Sequence, residues 1–122
     1  MAVQAKILIV DDERDLVDSY MRLLERSGHR CIGAFDAGEA IQLIDKELPD
    51  LLITDLSLPD TSGVEIIRHT RNKSKTTPII AMSGHNTPEL NREALAAGAD
   101  IHLLKPVSIV ELQRVIRRSL AR

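Results

Sequence analysis

Four apolar runs of the sequence each end on a polar side chain that could take part in chemistry. The residues at these ends are Asp11 with Asp12, then Asp55, Ser83 and Lys105. If the runs are neighbouring parallel strands, their carboxyl ends meet at the edge where open α/β sheets bind ligands. Acids, a hydroxyl and an ammonium in one pocket are the groups that a metal-assisted phosphoryl-transfer site uses.

The three acids indicate a cation site. Carboxylates within a few ångströms of one another repel and need a positive charge nearby. Hard oxygen ligands with room for water and phosphate suit Mg²⁺, and a carboxylate can attack phosphorus to form an aspartyl phosphate. We therefore predict a magnesium site in which Lys105 neutralises phosphoryl oxygens and Ser83 donates a hydrogen bond to one of them.

Each of these residues alone has a simpler structural explanation. Asp11 and Asp12 could cap the helix that follows them, and Asp55 could form a turn. Ser83 could be a small residue before a turn, and Lys105 a solvated lysine at a strand end. The functional interpretation is favoured because all four strand ends agree with it.

Five short apolar runs alternate with amphipathic segments along the chain. The run at 7–10 is continuous, apolar and β-branched, which is typical of a strand buried on both faces, and the runs at 51–54 and 101–104 are the third and fifth strands. The run at 78–82 is a fourth strand, and the weaker one at 30–35 resembles an edge strand. The sequence thus predicts five strands, each followed by a helix.

Capping signals mark where the helices begin. Side chains suited to an N-cap stand at Asp36 with Glu39, Ser62 with Glu65, Thr87 before Pro88, and Ser108 with Glu111. Strict alternation predicts an α/β fold, with a doubly wound five-stranded parallel sheet of order 2-1-3-4-5 and helices on both faces. In that order the first and third strands, which carry the acids, are adjacent.

Size and composition fit one globular domain, which we expect to span residues 1–122. The chain has 43% hydrophobic and 28% charged residues and a formal net charge of -2, which does not suggest nucleic-acid binding. It has no glycine-rich nucleotide motif, no signal peptide and no membrane span. The lone Cys31 fits a reducing compartment. We expect a cytoplasmic protein without direct nucleic-acid or membrane contact.

As a set, the motifs resemble the receiver domain of bacterial two-component response regulators, the chemotaxis-regulator-like domains with a flavodoxin-like fold. The resemblance covers essentially the whole chain. The segments that carry it are Ile9-Val10-Asp11-Asp12-Glu13, Asp55-Leu56-Ser57-Leu58-Pro59-Asp60 with Gly63, Ala81-Met82-Ser83-Gly84, and Leu104-Lys105-Pro106.

The resemblance implies a role for each acid. Asp55 accepts a phosphoryl group from a histidine kinase, from a phosphotransfer protein or from a small donor such as acetyl phosphate. Asp12 and Asp55 bind Mg²⁺ directly together with the backbone carbonyl of Ser57, while Asp11 acts mainly through water. The domain then catalyses only its own phosphotransfer and dephosphorylation.

The resemblance also implies how the phosphoryl group is read. Ser83 is the switch hydroxyl that moves toward it, and the Lys105–Pro106 bond is cis, an isomer open to an X-Pro bond. The family usually places Tyr or Phe three residues before the lysine, where this chain has His102. Because histidine is polar and titrates near neutral pH, we hypothesise that this switch is weakened, rewired or pH-sensitive. Ser57 and His85 are expected to tune dephosphorylation.

The output face implied by the resemblance comprises the fourth helix, the fifth strand and the fifth helix. Its candidate contacts are Glu89, His102, Arg114 and Arg118, although charged helix faces are usually only solvated. A downstream protein, or a second copy after phosphorylation, is the expected partner. Because no output segment follows Arg122, we expect a single-domain regulator or a receiver from a longer chain.

Two alternatives belong to other classes. A phosphohydrolase of the haloacid-dehalogenase kind would place Asp-x-Asp near its N-terminus, whereas Asp55 lies mid-chain and is followed by Leu56 and Ser57. A receiver-like interaction domain that never takes phosphate would usually lack an acid or the lysine, and here none is missing.

Overall fold

Five strands and five helices alternate along the chain, as the sequence predicts. The computed structural model describes residues 4–85 and 87–121, so residues 1–3, 86 and 122 of the expected domain lie outside the description. The elements are β1 (Lys6–Val10), α1 (Arg14–Arg26), β2 (Arg30–Ala34), α2 (Ala37–Glu47), β3 (Leu51–Asp55), α3 (Gly63–Lys73), β4 (Ile79–Ser83), α4 (Pro88–Ala97), β5 (Ile101–Leu104) and α5 (Ile109–Leu120).

The sheet is parallel throughout and has the strand order β2-β1-β3-β4-β5, which confirms the predicted fold class. Strand β1 lies beside β3, with Val10 opposite Thr54, so the polar residues after both strands emerge at the same edge. The weak strand β2 lies at the edge of the sheet, as its sequence indicates. Among the described residues, none of the helices combines the length and apolar character needed to cross a membrane.

The two faces of the sheet are buried in separate apolar clusters because successive side chains of a strand point to opposite sides. Leu8, Leu52 and Ala81 pack in the cluster that includes residues of α2, α3 and α4. Ile9 and Ile53 pack in the cluster that includes residues of α1 and α5. Side chains at the ends of the strands are therefore directed toward one helix layer or the other.

Two strands extend one residue further than predicted. Asp55 and Ser83 are the last residues of β3 and β4 rather than the first residues of loops. The ladder continues past them, since Leu56 N donates to Met82 O and Lys105 N donates to Ser83 O. Backbone pairing thus fixes both polar residues, because a polar side chain does not interrupt main-chain hydrogen bonds.

The predicted caps hold four helix N-termini. Asp36, Thr87 and Ser108 each accept from a backbone N–H of the first helical turn. Ser62 does so as well, by accepting from Val64 N, whereas Glu65 pairs with Arg68.

Arg71 joins α3 to the end of α4 and was not found from the sequence. Its guanidinium donates to Gly98 O at 2.7 Å and 3.2 Å, and to Ser74 O and Thr77 O at 3.1 Å and 2.9 Å. The Arg71 side chain is only 18% exposed. It therefore fixes the position of α4 relative to β4 with charge-assisted bonds.

We predict that Arg71→Met lowers the free energy of unfolding by about 2–3 kcal/mol, because partly buried carbonyls lose a charged donor. Urea unfolding followed by circular dichroism measures this change. Arg68→Met on the same helix is the control, since its pair with Glu65 is exposed and contributes less than about 0.5 kcal/mol. Equal losses of unfolding free energy in the two variants would show that the bonds of Arg71 do not hold α4 in position.

Candidate functional site

Three carboxylates converge at the carboxyl edge of the sheet, as predicted. Asp11 follows β1 and is fully buried, and Asp55 ends β3 and is 4% exposed. Asp12 is exposed to solvent. One carboxylate oxygen of each of the three residues lies within 4.8 Å of the others.

Lys105 lies between the two buried acids. Its Nζ is 2.8 Å from Asp11 Oδ2 and 2.9 Å from Asp55 Oδ2, and its side chain is 17% exposed. Burial alone would lower the pKa of Lys105, but the hydrogen bonds and charges of Asp11 and Asp55 outweigh it and raise the pKa above its usual value. The ammonium is therefore charged at neutral pH, and Lys105 is not the solvated lysine of the simpler explanation.

Asp55 has both carboxylate oxygens engaged. Oδ1 accepts from Ser57 N at 3.0 Å, and Oδ2 accepts from Lys105. Burial raises the pKa of Asp55 above its ordinary value, and the Ser57 N–H and the Lys105 ammonium oppose that effect. These two bonds hold the carboxylate in one orientation at the mouth of the site, so Asp55 does more than form a turn.

The acids after β1 do not cap α1 in the manner of the simpler explanation. The N-cap residue is Glu13, whose side chain makes no capping bond. Asp11 Oδ1 accepts from Glu13 N at 3.0 Å, while its other oxygen accepts from Lys105. Asp12 is therefore left facing solvent beside two acids that share one ammonium, which is where a further cation would find an oxygen ligand.

The loop after β3 is fastened at two points. A Cβ on Gly63 would lie 2.0 Å from the carbonyl oxygen of Asp55, so only glycine allows α3 to begin against the strand. Asp60 accepts from Ala37 N and Gly38 N at 2.9 Å each. These bonds lower the pKa of Asp60 and tie the loop to α2.

Lys105 is positioned by the segment that follows it. The Lys105–Pro106 bond is cis, as the resemblance implies. The buried hydroxyl of Tyr20 on α1 donates to Val107 O at 2.8 Å. The sequence does not predict this bond, because nothing local distinguishes an aromatic residue that packs from one that also donates a long-range hydrogen bond.

Ser83 is fully buried at the end of β4 and is directed to the α4 side. Its hydroxyl donates to the carbonyl of His85, and its Oγ lies 2.7 Å from His102 Nε2. The sequence placed Ser83 and His102 in one switch, and the structure brings them into direct contact. Within the described residues, the Ser83 hydroxyl makes no hydrogen bond to Asp55 or to Lys105; its partners are His85 and His102.

The remaining predicted residues lie near the site or on the expected face. Ser57 and His85 are exposed, each two residues after Asp55 or Ser83. Glu89, Arg114 and Arg118 are exposed on α4 and α5, while His102 is half-buried.

The donor set fits the predicted cation. Three carboxylate oxygens within 4.8 Å, one of them on an exposed residue, suit Mg²⁺, which takes one or two carboxylates and completes its shell with water. Among the described residues, these acids form the one group of three or more potential metal-ligating side chains close enough to share an ion.

A doubly wound parallel sheet with acids and a lysine at its carboxyl edge defines a flavodoxin-like α/β protein. The sequence model of the response regulator receiver domain matches residues 7–117. The chain belongs to this family, whose members are signalling domains of two-component regulators that interact with histidine kinases and downstream effectors and typically bind Mg²⁺ at an aspartate cluster.

Individual relatives agree with this assignment. Regulatory protein VanR of Enterococcus faecium is 38% identical over 117 residues, which cover 96% of this chain and 50% of that protein. An uncharacterised 14.6 kDa protein of Leptolyngbya boryana is 37% identical, over 94% of this chain and 89% of its own length. The chain thus spans about half the length of VanR and of several other curated relatives it matches.

Solved structures show the same fold. The CheY-like receiver domain protein from Methanospirillum hungatei superposes with a TM-score of 0.94 at 32% identity, covering 98% of this chain and 95% of that one. A two-component response regulator from Clostridium difficile gives a TM-score of 0.93 at 31% identity, covering 98% of each chain.

We predict that Lys105→Met binds Mg²⁺ about tenfold more tightly than the wild type, because the variant removes a positive charge that contacts two of the three acids. Isothermal titration calorimetry with MgCl₂ measures the affinity. Lys46→Met removes an exposed lysine of α2 and is the control, with no expected change. Unchanged or weaker Mg²⁺ binding by Lys105→Met would show that the ammonium does not compete with the metal.

Proposed function

We propose that this chain is a phosphorylation-switched receiver in which Asp55 is the phosphoacceptor. The observation that carries the proposal is the contact of one ammonium with two buried carboxylates, beside an exposed third acid. Asp55 is close to the surface and is the better placed of the two buried acids to accept a group, since it is 4% exposed whereas Asp11 is fully enclosed.

In the proposed reaction a carboxylate oxygen of Asp55 forms a bond to phosphorus. The bond from phosphorus to the imidazole nitrogen of a phosphohistidine breaks, or the bond to the acetate oxygen of acetyl phosphate, and its electron pair leaves with that atom. Lys105 stays protonated and stabilises the charge on the phosphoryl oxygens. The product is an acyl phosphate on Asp55.

Asp12 and Asp55, with the backbone carbonyl of Ser57, would hold Mg²⁺ directly, and Asp11 would act mainly through water. Bound there, the ion neutralises negative charge on the carboxylates and on the phosphoryl oxygens. Ser83 would then donate a hydrogen bond to a phosphoryl oxygen, which is the step that reports phosphorylation to α4 and β5.

The proposed output face is formed by α4, β5 and α5. Besides the charged side chains of Glu89, Arg114 and Arg118 it carries three exposed apolar ones, Leu95, Leu104 and Val110, at 43%, 51% and 62% exposure. Apolar groups ringed by charge suit a protein partner, and a downstream protein or a second copy are the candidates.

We further propose that residues 1–122 form one receiver domain that works in the cytoplasm. Cys31 is a free, half-buried cysteine, and burial raises the pKa of its thiol to about 11, so the thiol is poorly reactive. A free cysteine that forms no disulfide fits a reducing compartment.

We predict that acetyl phosphate with Mg²⁺ labels the wild type with one phosphoryl group and that Asp55→Asn abolishes the label, because an amide is a far poorer nucleophile at phosphorus. Intact-mass spectrometry measures the adduct, which disappears on standing as the acyl phosphate hydrolyses.

Asp60→Asn is the matched control for this labelling, since it alters an acid of the loop that follows β3 and Asp55. It should be labelled like the wild type. Multiple turnover of a separate phosphoester would instead support a phosphohydrolase, and no response to either acetyl phosphate or beryllofluoride would support an interaction domain that never takes phosphate.

We predict that Ser57→Ala with His85→Ala slows dephosphorylation about threefold to tenfold, because each exposed side chain can hydrogen-bond the attacking water. Mg²⁺ affinity should be nearly intact, since both substitutions keep the backbone carbonyls. Loss of the adduct over time, measured after removing the donor, gives the rate. An unchanged rate would remove both residues from the hydrolysis step.

A further inference from the structure

A line of side-chain contacts runs from the buried Ser83 hydroxyl to the outer part of α4. Ser83 Oγ lies 2.7 Å from His102 Nε2, and His102 Nδ1 lies 3.0 Å from Asn91 Oδ1. Ser83 is fully buried, whereas His102 and Asn91 are half-buried. The first of these residues belongs to the proposed switch, but no role has been given to the last.

The sheet and the α4 cap bring these three residues together. His102 pairs with Ala81 in the register of β4 and β5, two residues before Ser83 on the same face of the sheet. Asn91 lies one turn after Thr87, whose side chain fixes the start of α4 by accepting from Leu90 N. The contact between Asn91 and His102 is therefore set by elements on both sides of it.

The number of available protons determines which group donates in each of these contacts. The Ser83 hydroxyl has one proton, and the carbonyl of His85 can only accept, so that proton is donated to His85. The contact between Ser83 and His102 must then be a bond from Nε2–H to Oγ. Burial lowers the pKa of His102, which favours the neutral ring. In the neutral ring Nδ1 is an acceptor.

Asn91 is the residue that can donate to that acceptor. Its amide presents an NH₂ group to His102 Nδ1 when it is turned so that oxygen and nitrogen exchange places, a choice decided by the hydrogen-bond network. The donors then follow one order, from Asn91 to His102, from His102 to Ser83, and from Ser83 to the carbonyl of His85. In this order both ring nitrogens of His102 and the Ser83 hydroxyl have partners of the right kind.

We propose that Asn91 is a positioning residue of the switch, which acts through His102 to hold the Ser83 hydroxyl in its resting position. This inference rests on the proposed function, in which the Ser83 hydroxyl donates a hydrogen bond to the phosphoryl group on Asp55. To do so the hydroxyl leaves the carbonyl of His85 and turns away from the His102 ring. Bonds present only in the resting state oppose that change.

The direction of the effect follows from this opposition. Removing the Asn91 donor frees the His102 ring, so less free energy is lost when Ser83 turns toward Asp55. A variant without the amide should therefore bind a phosphoryl mimic more tightly, about threefold to tenfold, the effect of one net hydrogen bond.

The test is a titration of beryllofluoride with saturating Mg²⁺, followed by ¹⁹F NMR, on the wild type, Asn91→Leu and Asn91→Ala. Ala96→Leu is the matched control, because it places a leucine at an exposed position of the same helix and touches none of the three residues. We expect tighter binding by both Asn91 variants and an unchanged affinity for the control.

A double-mutant cycle distinguishes an effect of Asn91 on the Ser83 hydroxyl from a general destabilisation of α4. In a Ser83→Ala background the hydroxyl is absent, so Asn91→Leu should no longer change the affinity for beryllofluoride. A purely structural effect of Asn91 would persist in that background.

The outcomes distinguish this inference from the proposal on which it rests. If the wild type forms no adduct, the proposed function is wrong and the inference with it. If the wild type forms the adduct but the Asn91 variants bind no more tightly, or their gain persists without Ser83, the inference alone is overturned.

Discussion

The ammonium of Lys105 is the charge on which the rest of the site depends. Two carboxylates buried at neighbouring strand ends would repel each other strongly, and the lysine is 2.8 Å and 2.9 Å from Asp11 and Asp55. Its own position is fixed from two directions: its backbone N–H continues the sheet by donating to Ser83 O, and Tyr20 holds the next turn through Val107 O. The acids can remain close together because the cation cannot move away.

The parallel sheet also divides the site between its two faces. Asp55 shares the strand parity of Ile53, which packs toward α1 and α5, whereas Ser83 shares that of Ala81, which packs toward α3 and α4. A change at Asp55 must therefore cross to the other face at the edge of the sheet, where both strands end. In the proposed function the Ser83 hydroxyl makes that crossing, because it is short and can rotate without moving the backbone.

The strand–helix alternation and four of the helix caps could be predicted because each has a local sequence signal: a run of apolar residues, or a capping side chain at fixed spacing. The gathering of Asp11, Asp55 and Lys105 followed from topology alone. The bonds from Arg71 to Gly98 O, from Tyr20 to Val107 O and from Asp60 to α2 could not be predicted. They join side chains to backbone groups far along the chain, and such pairs have no characteristic spacing. The predicted ends of β3 and β4 were one residue short because a polar side chain does not prevent its own backbone from pairing with the next strand.

Histidine at position 102 changes what holds the resting state in place. A phenylalanine ring at this position could only pack, and packing is lost gradually as a ring moves. A histidine between Ser83 and Asn91 forms directional bonds, which are either made or broken within a fraction of an ångström. The resting position of the hydroxyl is thus specified by the proton order along three side chains, and that order ends on α4, where Asn91 is half-buried. A partner that contacts Asn91 would therefore affect Ser83, just as movement of Ser83 would affect Asn91, because coupling between two sites is reciprocal.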